Sequence, residues 1–146
     1  MKYLLLVYGE EEKMRQVDDL SCLAFDKSIR DSGHCIASEA LQPVATATTV
    51  RVRNGKATVT DGPFAETKEC LAGFYMIEAR DLDEAIQIAS RIPPAAVGSI
   101  EVRPLRPIRQ APNALAKKVS PSGLWTWPPV DNASKRLRAS AGFLAG

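Results

Sequence analysis

The side chains best suited to chemistry gather in the run DGPFAETKE, Asp61 to Glu69. Asp61 heads a Gly-Pro turn, where an aspartate can accept its own downstream backbone N–H and need no ligand. The same carboxylate at a pocket mouth would act as a general base or a hydrogen-bond acceptor. Glu66, Lys68 and Glu69 read either as a solvated loop or as a charged rim. In the second case Lys68 folds over Asp61 and lowers its pKa, which suits an acceptor better than a base. His34 is the one histidine of the chain. Facing Asp61 it would form an acid/base pair working near neutral pH; otherwise it is a hydrogen-bonded strand residue. Arg51 and Arg53 lie two apart, on one face of a strand, as a paired anion site or as charges guarding a sheet edge. Asp61 and His34 are therefore the candidate catalytic residues. Tyr8, Arg51, Lys68, Phe74 and Met76 are the candidate ligand-binding residues, with Tyr8, Phe74 and Met76 as apolar wall.

Other chemistries are excluded. A lone histidine and scattered carboxylates make no metal site, and no phosphate-cradling glycine loop or dinucleotide fingerprint occurs, so no cofactor is expected. Three cysteines, Cys22, Cys35 and Cys70, without C-x-x-C spacing, read as buried thiols rather than as disulfide or zinc ligands. The net charge is +2, too small to call for nucleic acid. Lys117, Lys118, Lys135, Arg136 and Arg138 against Asp131 place +4 from Gln110 onward, which leaves −2 before it. The opening MKYLLLVYGEEE has too short an apolar run for a secretory signal, and no stretch reaches the roughly 18 apolar residues of a membrane span. A cytoplasmic protein without a membrane partner is expected.

The elements that must position these residues follow from periodicity. Lys2–Tyr8 is a strand with apolar side chains on both faces. A helix is predicted over about Gln16–Ser32, with Val17, Leu20 and Ala24 on its apolar face and Gly33 just past its end. Strands follow at His34–Leu41 and Ala45–Arg53, then Asn54-Gly55, a strong hairpin signal, and a return strand at Lys56–Thr60. Ala72–Ala79 is a strand with large side chains on both faces. Asp81 and Glu84 form a capping box for a helix whose apolar face reads Leu82, Ala85, Ile86 and Ala89, stopped by Pro93-Pro94. Ser99–Arg103 is the last strand. The order β-α-β-β-β-β-α-β describes an α+β, ferredoxin-like antiparallel sheet with an added hairpin and two helices on one face. The bare face would expose Tyr75, Ile77 and one side of LLLVY, so a second copy is expected to cover it.

The runs DGPFAETKE, LAGFYMIEA, DLDEAI, GSIEVRP and SGHCIASEALQPVATATTVR resemble the DGPF-type branch of the YCII-related proteins over about residues 1–106. The resemblance implies a dimeric α+β barrel, two ferredoxin-like subunits with facing sheets and a pocket between sheet and helix. It also implies kinship with muconolactone isomerase and small monooxygenases. Relatives that look catalytic carry a histidine on the first helix, about eleven residues before its closing glycine. Here that place falls on Ser21-Cys22-Leu23, so an inherited His/Asp pair does not carry over. Genomic association of the branch with extracytoplasmic-function sigma factors implies a possible regulatory partner.

Residues 107–146 form a second segment, a Pro-rich basic arm. Its Leu124-Trp125-Thr126-Trp127 is expected to dock on the body or on a dimer partner, because tryptophan left in water wastes contact area. The leading functional expectation is a homodimer that binds a small molecule in a pocket rimmed by the DGPF loop, with acid/base catalysis open. The alternative is a non-enzymatic regulatory or interaction module linked to a sigma factor. Neither the ligand nor the proximity of His34 to Asp61 follows from the residues.

Overall fold

The structure, a computed structural model, describes residues 1–108. The expected docking of the arm and its tryptophans lies outside the described residues. Met1–Thr46 and Ala65–Arg106 form one compact unit, the body, and Ala47–Phe64 belong to a second.

The body is built on β1 (Lys2–Gly9), β2 (Cys35–Ala40), β5 (Cys70–Glu78) and β6 (Ser99–Pro104), in the spatial order β2-β5-β1-β6 with every neighbouring pair antiparallel. This is the ferredoxin-like arrangement. β1 is central, paired on both edges, and its side chains divide by alternation. Tyr3, Leu5 and Val7 are buried against the helices, while Leu4, Leu6 and Tyr8 turn to the other face and are half-buried. α2 (Asp19–Asp31) and α3 (Leu82–Ala89) cover the first face, contributing Phe25 and Ile29, and Ala85, Ile88 and Ala89, to one core with Ile77 and Ile92. Leu5, Ile29, Ile77 and Ile92 are fully buried, each worth about 1.5–3 kcal/mol of hydrophobic stabilisation.

The two helices start where their caps are. Asp18 accepts from Leu20 N at 3.2 Å and Ser21 N at 3.1 Å, so α2 begins at Asp19 rather than Gln16. The residues before it form a separate short helix, α1 (Glu11–Met14). Asp81 accepts from Glu84 N at 2.9 Å, as the capping box requires, but Glu84 reaches one residue further back, accepting from Arg80 N at 2.6 Å. The apolar faces differ from the periodicity reading. In α2 the buried pair is Phe25 and Ile29, one turn apart, and Leu20 is 73% exposed; in α3 Leu82 and Ile86 are 48% and 47% exposed. Each helix presents to the sheet only the stripe its docking angle selects, and the remaining apolar residues lie outside it.

Strand faces also correct one expectation. β5 pairs Tyr75 with Leu5 and Ile77 with Tyr3, so both face the helices, and Tyr75 packs edge-on against Phe25 with ring centroids 5.4 Å apart. Phe74, opposite Leu6, and Met76, opposite Leu4, share the far face instead. One extra residue in β5, Ala72, makes a bulge between the pairs Val7–Gly73 and Tyr8–Leu71. That step shifts the pairing of Leu71 and Cys70 relative to the rest of β5.

In the second unit, β3 (Thr48–Arg53) and β4 (Lys56–Asp61) form a two-stranded hairpin. Its turn has Asn54 at φ 51° and Gly55 at φ 72°, the left-handed pair that suits the twist of a tight hairpin. Gly62, at φ 104°, follows Asp61 and returns a hydrogen bond from its N to Ala47 O at 2.8 Å. Turn geometry at the DGPF run is therefore present.

Gly98 lies where β6 meets β1, and a Cβ there would collide with the Tyr8 carbonyl oxygen, a backbone atom. A Cβ on Gly9 would meet only the flexible Met14 side chain. We expect Gly98→Ala to destabilise the fold by roughly 1–3 kcal/mol, the usual range for overpacking, and Gly9→Ala to cost less. Paired chemical-denaturation curves check the order; equal losses would contradict it.

Candidate functional site

Beside the core, between α2 and the β2–β5 side of the sheet, the body holds a cavity of about 600 Å³. Its origin is a mismatch of side-chain size. Phe25 fills the space over Tyr75, but one turn earlier α2 offers Cys22, and Ala40, Ala72 and Gly73 line the sheet wall. Gly73 brings β5 close to β2, since a Cβ there would press on the Glu39 carbonyl oxygen at 2.8 Å. Small residues thus leave volume that no side chain fills. α1 closes one end, with Met14 in the wall and Glu11 Oε1 accepting from Val44 N at 2.7 Å.

Three polar residues of the wall, Asp26, Arg30 and Ser38, form a connected cluster. Arg30 Nε donates to Asp26 Oδ2 at 2.6 Å, Arg30 Nη2 donates to Ser38 Oγ at 2.7 Å, and the Ser38 hydroxyl donates to Asp26 Oδ1 in a short bond. Asp26 and Arg30 are an i,i+4 helical pair, and Ser38 carries the link to β2. The Arg30 guanidinium, followed by the Ser38 hydroxyl, lowers the Asp26 pKa, and Asp26 in turn raises that of Arg30. Burial, then the charges of Asp19 and Asp18, pushes the Cys22 thiol up. Burial foremost raises the Tyr75 phenol to about 12. Tyr75 lies opposite Ser38 across the β2–β5 pair, and its hydroxyl makes no hydrogen bond among the described residues.

Residues 1–109 match the YCII-related domain along three quarters of the chain. The chain belongs to the YCII-related family. It is also 42% identical over 100 residues, 67% of this chain and 79% of the relative, to an uncharacterized protein of Rhizobium meliloti (strain 1021).

The candidate residues of this YCII-related protein fall in several places. Phe74 belongs to the cavity lining, although its register opposite Leu6 turns its side chain to the far face of the sheet. Tyr8 and Lys68 line a second, open depression of about 760 Å³ with Glu10, Glu69 and Glu101. Met76 lines neither. Lys68 Nζ is 3.5 Å from Glu10 Oε1, a carboxylate already held by Lys13 at 2.8 Å. His34 is placed beside α3: its Nδ1 is 2.9 Å from Ser32 Oγ and its Nε2 3.8 Å from Glu84 Oε1, so it joins the end of α2 to the start of α3. Asp61 closes β4 in the hairpin unit, and there Arg51 stacks over Phe64 at 6.0 Å. Asp26, Arg30, Ser38 and Tyr75 were not among the candidates. Asp26 and Arg30 read in sequence as an ordinary solvated helix pair, and the one available signal was the block of small residues, Ala72-Gly73, opening a strand of large ones.

The three cysteines are free and half-buried, and Cys22 lines the cavity. With its pKa raised, Cys22 is a thiol at neutral pH and a poor nucleophile. No group of three or more metal-ligating side chains occurs, and no helix is long and apolar enough to cross a membrane, among the described residues.

The cluster has a pH signature. A depressed aspartate pKa contributes stability above the unfolded value of about 3.9 and loses it as pH falls through the lower folded value. Asp26→Asn should therefore melt below wild type around pH 7, with the two curves converging in acid below the depressed value. A gap that stays constant with pH would contradict the assignment; melting temperature against pH measures it.

Proposed function

We propose that this protein binds a small organic molecule in the cavity beneath α2, acting as a homodimer. The carrying observation is a cavity of about 600 Å³, mostly apolar, whose wall includes the hydrogen-bonded cluster Asp26–Arg30–Ser38. A concave apolar site with a few convergent polar groups is the usual form of a small-molecule pocket. Binding is favoured over acid/base catalysis by the direction of the shifts. Asp26 is held ionised, while the Cys22 thiol and the Tyr75 phenol are held protonated, so none is poised to exchange a proton near neutral pH. Asp61 and His34 enter as an acid/base pair only if their substitution removes ligand binding.

A thermal-shift screen of metabolites against wild type, Val17→Trp and Asp61→Ala tests this reading. Val17 is half-buried in the cavity wall, and tryptophan there would fill the opening. Ligands that raise the wild-type melting temperature and lose their effect in Val17→Trp are expected, since only native-state binding stabilises. Shifts that survive Val17→Trp would remove the cavity from the reading. Loss in a folded Asp61→Ala protein would bring the DGPF run into the site.

The dimer rests on the far face of the sheet, where Leu4, Leu6, Tyr8, Phe74 and Met76 form a half-buried apolar row turned away from both helices. Packed against a second copy, such a row makes a sheet-to-sheet interface. Light scattering is expected to give twice the 15.8 kDa chain mass, and Leu6→Lys to give the single mass. A wild-type monomer would overturn it.

Exposed Leu20, Leu82 and Ile86 favour a second reading, a docking surface for a regulatory protein such as an extracytoplasmic-function sigma factor. In that case Leu82→Ser with Ile86→Ser abolishes partner binding and leaves ligand-induced stabilisation intact.

A further inference from the structure

We infer that the ligand of this cavity is a small, largely apolar monocarboxylate, whose head is taken by the outer edge of the Arg30 guanidinium and by the Tyr75 hydroxyl. The inference rests on the small-molecule reading and names its ligand class.

A guanidinium has two edges that can each offer a pair of parallel N–H donors. In Arg30 the Nε/Nη2 edge is spent: Nε donates to Asp26 and Nη2 to Ser38. Nη1 has no acceptor among the described residues, Nη2 keeps its second N–H, and Arg30 lines the cavity. The held edge fixes the plane of the group, so the open edge is presented ready for a planar acceptor with two oxygens, the geometry of a carboxylate. Ser38 offers no competing site. Its hydroxyl donates to Asp26 and accepts from Arg30.

Tyr75 supplies the second contact. It sits directly opposite Ser38 in the β2–β5 register, and side chains so paired lie about 5 Å apart at Cβ. The phenol is within electrostatic reach of Asp26, the residue to which both Arg30 and Ser38 donate. Its hydroxyl is unbonded among the described residues and stays protonated, with its pKa near 12. Such a group donates a hydrogen bond to an incoming oxygen.

Charge limits the class further. Glu11, Asp19, Asp26 and Glu39 line the cavity against Arg15 and Arg30, so the wall carries an excess of negative charge. That excess opposes any anion, and a phosphate ester or dicarboxylate about twice as strongly as a single carboxylate, which the forked contact to Arg30 must hold against it. One carboxylate on an apolar body matches both the open Arg30 edge and the apolar wall of Met14, Val17, Leu23 and Leu41.

Octanoate, octanamide and octylamine share one apolar body and differ in the head, so their binding to the full chain by titration calorimetry tests the assignment. Octanoate is expected to bind at least about tenfold more tightly than the amide, as a charge-assisted forked contact implies, and the amine most weakly. Arg30→Lys keeps the charge but loses the fork and should cost octanoate about tenfold. Tyr75→Phe keeps the ring against Phe25 and removes only the unbonded hydroxyl; its melting temperature should match wild type while octanoate binding falls several-fold. Amide or amine binding as tight as octanoate, or an unchanged octanoate affinity in both variants, would overturn the carboxylate assignment and leave the cavity reading standing. Absence of binding by all three would overturn both.

Discussion

The body depends on β1 being apolar on both faces and hydrogen-bonded on both edges. Its edges are taken by β5 and β6, and one face is buried by α2 and α3 through Tyr3, Leu5 and Val7. A central strand of this kind forces two layers onto the chain, because each face must find an apolar cover. One cover is intramolecular. The other face carries Leu4, Leu6, Tyr8, Phe74 and Met76, all half-buried and turned away from both helices.

The cavity follows from how that first cover is made. α2 seals the sheet with Phe25 and Ile29 only, and Phe25 over Tyr75 is the last large pair before the small residues begin. Beyond it the distance between helix and sheet stays set by the packed end, so Cys22 over Ala72 and Gly73 leaves open volume. The Arg30–Ser38 and Asp26–Ser38 bonds then tie helix to sheet at the edge of that volume. Packing makes the space and a polar tie holds its wall, which is how a rigid fold carries a pre-formed site.

Electrostatics inside the cavity favour recognition over proton transfer. Asp26 owes its ionised state first to Arg30, and Tyr75 and Cys22 owe their protonated states first to burial. Groups pushed away from neutrality in these directions hold fixed charges and fixed donors. On this side of α2 the cavity wall carries the Cys22 thiol and no histidine.

Much of the architecture was legible from residues alone. Alternation in Lys2–Tyr8, the Asn54-Gly55 turn, the Asp81 cap and the order of elements all rest on local rules, in which a residue's role is decided by its own backbone and near neighbours. The candidate site was far less legible. Asp26 and Arg30 look like any helical salt bridge until Ser38, on another element, joins them. His34 read either as a hydrogen-bonded strand residue or as half of an acid/base pair, and tertiary packing set its ring beside Ser32 and Glu84. Which face of β5 meets the helices was set by its register with β1, Tyr75 opposite Leu5 and Ile77 opposite Tyr3. Sequence by itself determined which elements form and in what order, since helix caps, turns and periodicity act over a few residues. Only the tertiary structure decided which side chains share a cavity, because that depends on docking angle, register and the sizes of residues distant in the chain.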